Sequence, residues 1–179
     1  PPLARVGLRL GQMFKATHDM IDKRMRACWS RAMEIAATAQ VMARHFTRLK
    51  PDQAMLAGLI HQIGILPILA YAENNENLLA DSISLDKVIE RLHPALGSYI
   101  LRSWEFPAEI VSVPKHYLDQ NYDSSEVSYV DLVQVATFQS YANTHHRLAN
   151  INRGAFGSFK RLVPDADDEV TRWQALSAD

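Results

Sequence analysis

The chain has 179 residues, enough for one domain that buries most of its apolar surface. Hydrophobic residues make up 47% and charged residues 22%, and the formal net charge is −1. This balance argues against a generic nucleic-acid binder or anionic-membrane binder, because both depend on an excess of Lys and Arg. Cys28 is the single cysteine, so no intramolecular disulfide can form. We expect a cytoplasmic protein in which Cys28 is a small buried side chain.

No signal peptide is recognisable, and no apolar run approaches the roughly 18 residues that a membrane span requires. The longest such run, from Leu56 to Ala72, is interrupted by His61, Gln62 and Pro67. We therefore expect no membrane association.

The whole chain is predicted to be all-α. It holds only seven glycines, long stretches are rich in Ala, Leu, Met, Glu and Arg, and no run alternates with a period of two. The first predicted helix covers 3–14, where apolar residues recur at helical spacing: Leu3, Val6, Leu10 and Met13. A second helix is expected from about Thr17. A longer helix follows with one stripe on its buried face, formed by Trp29, Met33, Ala36, Gln40 and Ala43.

Prolines mark the beginnings of most later helices. Pro51 ends the preceding helix and opens the next, which runs through His61-Gln62 and ends or bends at Gly64. A short apolar helix is predicted over 65–72, then a polar loop over 73–84 with one turn at 77–80. A further amphipathic helix is expected over 85–92.

Pro94 and Pro107 each open a helix in this interpretation, and Pro114 kinks the second one just before His116. One long helix is predicted over 127–150 and a final short helix over 165–176. We expect residues 1–150 to form the helical core and residues 151–179 to form a C-terminal extension packed on it.

Histidines are the main candidates for metal binding or acid–base chemistry. His61, His93 and His116 sit at predicted helix ends or bends, where side chains from separate helices can converge. An Asp after His61 would give two neighbouring ligands about 100° apart on a helix, but Gln62 offers only a neutral amide. No acidic residue forms a compact ligand pair with a histidine, and His145-His146 point apart, so the pattern gives little support to metal-dependent hydrolysis. No other catalytic motif is present.

Three motifs together resemble the HDOD domain (HD-related output domain), a branch of the HD phosphohydrolase superfamily. They are Trp29-Ser30 with a following alanine stripe, the segment Ala57-Gly58-Leu59-Ile60-His61-Gln62-Ile63-Gly64, and the segment from His93-Pro94-Ala95-Leu96-Gly97 through Trp104 and Phe106-Pro107 to His116-Tyr117. The resemblance covers roughly residues 3–143. It implies a single HD-like bundle of several helices.

The resemblance also implies which positions would hold the metal in catalytic relatives. An early His falls at or beside Trp29, the His-Asp doublet falls on His61-Gln62, and a late Asp falls on Thr137. His93 and His116 match accessory histidines of some relatives. Only His61 keeps a ligand, so we expect a relic pocket formed by His61, Gln62, His93, His116, Trp29 and Thr137, with no catalytic residue, no metal and no cofactor.

HDOD domains usually carry an N-terminal helical lobe of about 80 residues, an estimate from domain sizes, whose signature is absent here. The resemblance implies a non-catalytic bacterial module for signal transduction and regulation, with an unidentified protein partner or ligand. The alternative is a metal-dependent phosphohydrolase with a divergent site built from His61, His93, His116 and a carboxylate such as Asp131. A nucleotide sensor that keeps the relic pocket is a third interpretation.

Overall fold

The structure is a computed structural model that describes residues 16, 18–142, 144–163, 171 and 174. Every regular element in this part of the chain is helical, which confirms the predicted all-α class. The α-helices are α1 (Asp19–Phe46), α2 (Pro51–Ile60), α3 (Ile65–Ala72), α4 (Glu76–Ala80), α5 (Ser82–Ser103), α6 (Ala108–Val111), α7 (Val113–His116), α8 (Tyr129–Tyr141) and α9 (Gly157–Leu162). Two 3₁₀ turns, Arg147–Asn150 and Arg153–Ala155, connect α8 to α9. The helix predicted over 3–14 lies outside the described residues, as does nearly all of the one over 165–176.

Helix α8 lies at the centre of the bundle. Its residues are buried without interruption from Tyr129 to Phe138, because α1, α2, α6, α7 and α9 surround it. A helix that is buried on all sides cannot show a single apolar stripe. Phe138 stacks on Phe159 of α9 with the ring centroids 6.0 Å apart, so α9 closes one side of the core. The division of the chain at residue 150 stays a prediction.

Helix α1 is one continuous helix of 28 residues, where the sequence analysis expected two. The His18 imidazole caps it by accepting a hydrogen bond from the Met20 amide, and Asp19 and Asp22 lie in the first turn. The predicted stripe is also partly wrong, since Met33 is 50% exposed. The buried face of the second half of α1 is instead formed by Ala32, Ile35, Ala36, Ala39, Met42 and Ala43.

Helix α5 runs through Pro94, so the separate helices predicted on either side of this proline are wrong. Pro94 cannot donate to the Glu90 carbonyl one turn earlier. The His93 side chain lies at the same place: its Nδ1 donates to the Ile89 carbonyl at 2.8 Å and also interacts with the Glu90 carbonyl. This imidazole N–H adds a hydrogen bond to the turn of α5 in which Pro94 lacks a backbone donor.

Helix α8 ends at Tyr141, although one helix was predicted over 127–150. Ala142 turns the backbone out of the helical region, with φ −56° and ψ 140°, and the Thr144 hydroxyl donates to the Tyr141 carbonyl at 2.7 Å. His145 and His146 therefore follow the helix instead of lying on it, and both are exposed.

The stretch Pro51–Ala72 is long and apolar enough to cross a membrane by length and composition, with a mean hydropathy of 1.7. The sequence-based expectation of no run long enough for a membrane span is therefore wrong by this criterion, because His61, Gln62 and Pro67 do not lower the mean hydropathy enough. In the structure this stretch consists of α2, a turn and α3, and 56% of its most apolar 18-residue window is buried inside the protein. Core helices of globular domains have the same properties.

Candidate functional site

Glycines bring four helices close together around the turn that follows α2. A Cβ atom on Gly58 would lie 2.6 Å from Cα of Ala36 in α1, and one on Gly64 would overlap the carbonyl oxygen of His93 in α5. A Cβ atom on Gly97 would lie 2.7 Å from Cβ of Pro114. Backbones can approach this closely only where a side chain is missing. The turn that carries His61 and Gln62 is therefore held between α1 and α5.

His61 is completely buried at the end of α2. Its Nδ1 donates to the Gly58 carbonyl at 2.6 Å, which leaves the lone pair of Nε2 facing inward. This Nε2 atom has no hydrogen-bond partner within the described structure. The Tyr117 ring lies against the imidazole edge to face, with the centroids 4.8 Å apart. Burial, together with the neighbouring His93, lowers the pKa of His61 to about 4, so its imidazole is neutral at pH 7.

The Tyr117 hydroxyl joins Gln62 to His93. It accepts a hydrogen bond from Nε2 of Gln62 at 3.2 Å and lies 3.0 Å from Nε2 of His93. Nδ1 of His93 carries a proton because it donates to the Ile89 carbonyl. Burial lowers the pKa of His93, which favours the neutral imidazole. Its Nε2 atom is then unprotonated and accepts a hydrogen bond from the Tyr117 hydroxyl.

Cys28 completes this arrangement from α1. Its thiol is 3.7 Å from Oε1 of Gln62, within range of an S–H···O hydrogen bond. Burial raises the pKa of the Cys28 thiol to about 11, so the sulfur keeps its proton and can donate. Burial likewise raises the pKa of the Tyr117 phenol. The result is a neutral, directional chain of hydrogen bonds, which we call the Tyr117 network: Cys28 to Gln62, Gln62 to Tyr117, Tyr117 to His93, and His93 to the Ile89 carbonyl.

A cleft of about 880 Å³ opens beside this network, with Gln62, His93 and Tyr117 in its lining. Its walls come from α5 and from the segments 114–120 and 141–156. An ion pair between Arg147 and Glu90, 2.7 Å long, joins two of these walls. The volume lies within the range of small-molecule sites.

The structure brings together only part of the predicted relic pocket. His61, Gln62 and His93 meet at Tyr117, as described above. His116 is engaged elsewhere, because its Nδ1 lies 3.0 Å from Oδ2 of Asp119 and its ring lies against Tyr122.

The remaining predicted positions provide no metal ligand. Thr137 is completely buried in α8 and its hydroxyl donates to the Val133 carbonyl at 2.7 Å. Trp29 is partly buried and packs against the core. The carboxylate of Asp131, the acid considered for a divergent site, pairs with Arg161 at 2.6 Å and accepts from the Ser128 amide at 2.8 Å.

Sequence reasoning missed the roles of Tyr117 and Cys28. Tyr117 directly follows one of the candidate histidines, but its position at the C-terminal end of α7 determines that its hydroxyl, and not the His116 imidazole, reaches the network. Cys28 was interpreted as a plain hydrophobic side chain. Its neighbour Trp29 was the residue that the resemblance singled out, and one step along α1 changes the direction of a side chain by about 100°.

The donor set does not suit a divalent cation. No group of three or more His, Cys, Asp or Glu side chains in the described residues could hold a metal ion. The Nε2 lone pair of His93 and both polar atoms of Gln62 already take part in the Tyr117 network. The only free ligand atom among these side chains is Nε2 of His61, and within the described part of the chain it joins no group with a carboxylate that could offset the charge of an ion.

The family model of the HDOD domain matches residues 5–118. The chain belongs to the HDOD family. A similar solved structure is that of a protein from Shewanella amazonensis SB2B described as a putative metal-dependent phosphohydrolase, with 24% sequence identity and a TM-score of 0.71. The match covers 94% of this HDOD chain and 64% of the other chain. At this identity the likeness shows the HD-like fold alone. The search of curated proteins finds no match.

The HDOD chain should lose stability on acidification through His61. The unfolded imidazole has a pKa of about 6.5 and the buried one about 4, so the unfolded state binds the extra proton between these values. The neutral His61 therefore contributes about 3 kcal/mol to the free energy of unfolding. This contribution is fully present above pH 6.5 and is lost as the pH falls towards 4. Urea unfolding from pH 4 to pH 7 measures it.

The matched control is His45→Gln, which changes an exposed histidine of α1. This variant should retain the loss of stability between pH 6.5 and pH 4. In His61→Gln the free energy of unfolding should change less with pH over this range. Equal slopes for the wild type and His61→Gln would show that His61 does not cause the acid sensitivity.

Proposed function

We propose that this HDOD domain is a non-catalytic regulatory module of a bacterial signalling pathway, located in the cytoplasm. It would act by binding a protein partner or a small ligand, and its HD-type metal site is degenerate. The observation that carries this proposal is the Tyr117 network. The polar groups next to His61 are engaged with one another in neutral hydrogen bonds.

The directions of the hydrogen bonds support this interpretation. A metal ion at His93 would need the lone pair of Nε2, and this lone pair already accepts the hydrogen bond from the Tyr117 hydroxyl. Coordination by Gln62 would break its bonds to Cys28 and Tyr117. Removing these interactions from a buried site leaves unpaired polar groups, each costing about 1–3 kcal/mol.

The residues at the two other metal-ligand positions implied by the resemblance, Thr137 and Trp29, also support a degenerate metal site. Thr137 occupies the position of the late Asp, and its hydroxyl already donates a hydrogen bond to the Val133 carbonyl one turn earlier. Trp29 occupies the early position with a side chain that offers no ligand atom, since the indole N–H only donates. The substitutions at Gln62, Thr137 and Trp29 therefore agree with one another.

A metal-dependent phosphohydrolase is the second candidate, and one observation favours it. Nδ1 of His61 is fixed by the Gly58 carbonyl while Nε2 is buried without a partner, which is how a metal-ligating imidazole is commonly oriented. The similar structure from Shewanella amazonensis is also described as metal-dependent. One imidazole alone provides neither the ligand number nor the charge of such a site. The carboxylate proposed to complete it, Asp131, is engaged by Arg161 and Ser128.

Metal content and hydrolysis distinguish the two functions. Purified protein, incubated with Mn, Fe, Ni, Mg or Zn salts and desalted, should retain no stoichiometric metal and should not hydrolyse a generic phosphodiester. Elemental analysis and release of nitrophenol from bis-nitrophenyl phosphate measure this. Gln62→Asp should behave in the same way, because ligands are still absent at Trp29 and Thr137.

The control is His61→Gln, which removes the one free ligand atom. Any adventitious metal should be the same in this variant as in the wild type. About one metal ion per chain that disappears in His61→Gln, or stoichiometric metal in Gln62→Asp, would count against the degenerate site.

A further inference from the structure

Gln62 keeps hydrogen-bonding capacity that the histidine of the Tyr117 network has used up. Both ring nitrogens of His93 are engaged, one with the Ile89 carbonyl and the other with the Tyr117 hydroxyl. A primary amide has two N–H donors and two lone pairs on its oxygen, and Gln62 uses one of each, towards Tyr117 and Cys28. One N–H and one lone pair remain on this partly exposed side chain, which lines the cleft of about 880 Å³. Gln62 can therefore pair with a ligand group that carries a donor and an acceptor side by side.

An aromatic surface borders the same cleft. The exposed His146 ring stacks on Tyr141 with the centroids 4.1 Å apart and the ring planes 24° from parallel, and both residues line the cleft. Nδ1 of His146 accepts from the Leu148 amide at 3.2 Å, which fixes the orientation of the ring. Partial burial and the neighbouring Arg147 lower the pKa of His146, so this imidazole is neutral at pH 7. Aromatic and histidine rings of this kind are surfaces on which planar ligands stack.

The charges around the cleft do not suit an anion. Among the described residues, three acidic and two basic ones line it: Asp86, Glu90, Asp119, Lys115 and Arg147. Arg147 is already paired with Glu90 at 2.7 Å, which leaves Lys115 as the only cation of this lining without an ion pair in the described part of the chain. A phosphate group would meet more carboxylates than free cations. The cleft therefore favours a ligand without negative charge.

We propose that the cleft binds an uncharged planar molecule with an amide-like edge, such as a nucleobase or a flavin ring. This inference rests on the proposed function, because it names the class of small ligand that the regulatory module would sense. The edge of the molecule would pair with the remaining N–H and lone pair of Gln62, and its ring would stack against His146. Glutamine amides pair with adenine edges in this bidentate way in protein–DNA contacts. An ionised carboxylate in place of Gln62 could only accept, so the amide supplies the donor that this pairing needs.

Three matched pairs of compounds test the ligand class: adenosine with AMP, uridine with UMP, and riboflavin with FMN. The two members of each pair share the ring and its edge and differ by one phosphate group. Isothermal titration calorimetry of the full chain should give at least one of the uncharged compounds a dissociation constant below about 1 mM. Its phosphorylated counterpart should bind at least about tenfold more weakly, because it adds negative charge beside the carboxylates.

Variants of the cleft test the two contacts. Gln62→Met keeps the length of the side chain but removes its donor and acceptor, so it should weaken binding of that compound at least about tenfold. His146→Ala should weaken binding severalfold through lost stacking. The matched control is Gln120→Met, since Gln120 is an exposed amide that lines the same cleft outside the Tyr117 network. It should bind within about twofold of the wild type. Circular dichroism checks that each variant is folded.

Several results would overturn the proposal. They are the failure of all three uncharged compounds to bind, a phosphorylated compound that binds as tightly as its parent, and equal weakening by Gln62→Met and Gln120→Met. If Gln62→Met does not fold, the matched pairs on the wild type still decide. The metal analysis of the proposed function is independent of these results. A chain that retains no metal and binds none of the compounds loses only this inference, whereas stoichiometric metal that disappears in His61→Gln would overturn the proposed function itself.

Discussion

Gly64→Ala is expected to lower the free energy of unfolding by about 3 kcal/mol, the upper part of the range for overpacked sites. The added Cβ would overlap the carbonyl oxygen of His93 and lie 2.6 Å from the amide nitrogen of Gly97. Both are backbone atoms of α5, so they cannot rotate away as a side chain would. The turn that holds His61 and Gln62 would have to move away from α5. Urea denaturation at pH 7 measures the loss.

Two variants calibrate this result. Gly97→Ala should cost less, because the added Cβ would lie 2.7 Å from Cβ of Pro114, which is a milder contact than the overlap at Gly64 and falls on the short helix α7. Ala95→Ser, at an exposed position of α5, should stay within about 0.5 kcal/mol of the wild type. If Gly64→Ala were as stable as Ala95→Ser, α3 and α5 would not be in close contact at this position.

Arg161→Met is expected to cost about 3–5 kcal/mol, because it leaves the Asp131 carboxylate buried without its cation. Asp131 is completely buried, and Nη2 of Arg161 lies 2.6 Å from its Oδ1. The other carboxylate oxygen caps α8 by accepting from the Ser128 amide at 2.8 Å. This pair joins α9 to the central helix, so its loss should weaken the whole bundle. Chemical denaturation gives the difference.

The control uses the second carboxylate that contacts Arg161. Asp123 is 93% exposed and lies 3.2 Å from Nη1 of Arg161, so Asp123→Asn should cost less than about 1 kcal/mol. Adding Asp131→Asn to Arg161→Met should recover part of the stability, since it removes the unpaired charge. A small effect of Arg161→Met would indicate that the Asp131 carboxylate is available for another partner, which would favour the divergent metal site.

Short-range rules predicted much of the fold. Pro51 opens α2, the 65–72 segment is helical, and the helix expected at Pro107 is interrupted at Ser112, just before Pro114. The same rules failed at Pro94, which lies inside α5, where the His93 side chain adds a hydrogen bond to the Ile89 carbonyl in the same turn. They failed again at Ala142, where the helix ends without Gly or Pro. Both failures depend on side-chain and backbone contacts that no propensity describes.

The sequence by itself determined the family and the helical class. Glycines and prolines stand where helices begin, end or approach one another, so their order and spacing, together with the histidines, can be recognised along the chain. The resemblance also predicts that ligands are missing at Gln62, Trp29 and Thr137, which stays a prediction. Only the tertiary structure decided which side chains meet. His116 turns to Asp119 while Tyr117 reaches Gln62 and His93, since hydrogen-bond partners from four separate segments are selected by packing and not by spacing along the chain.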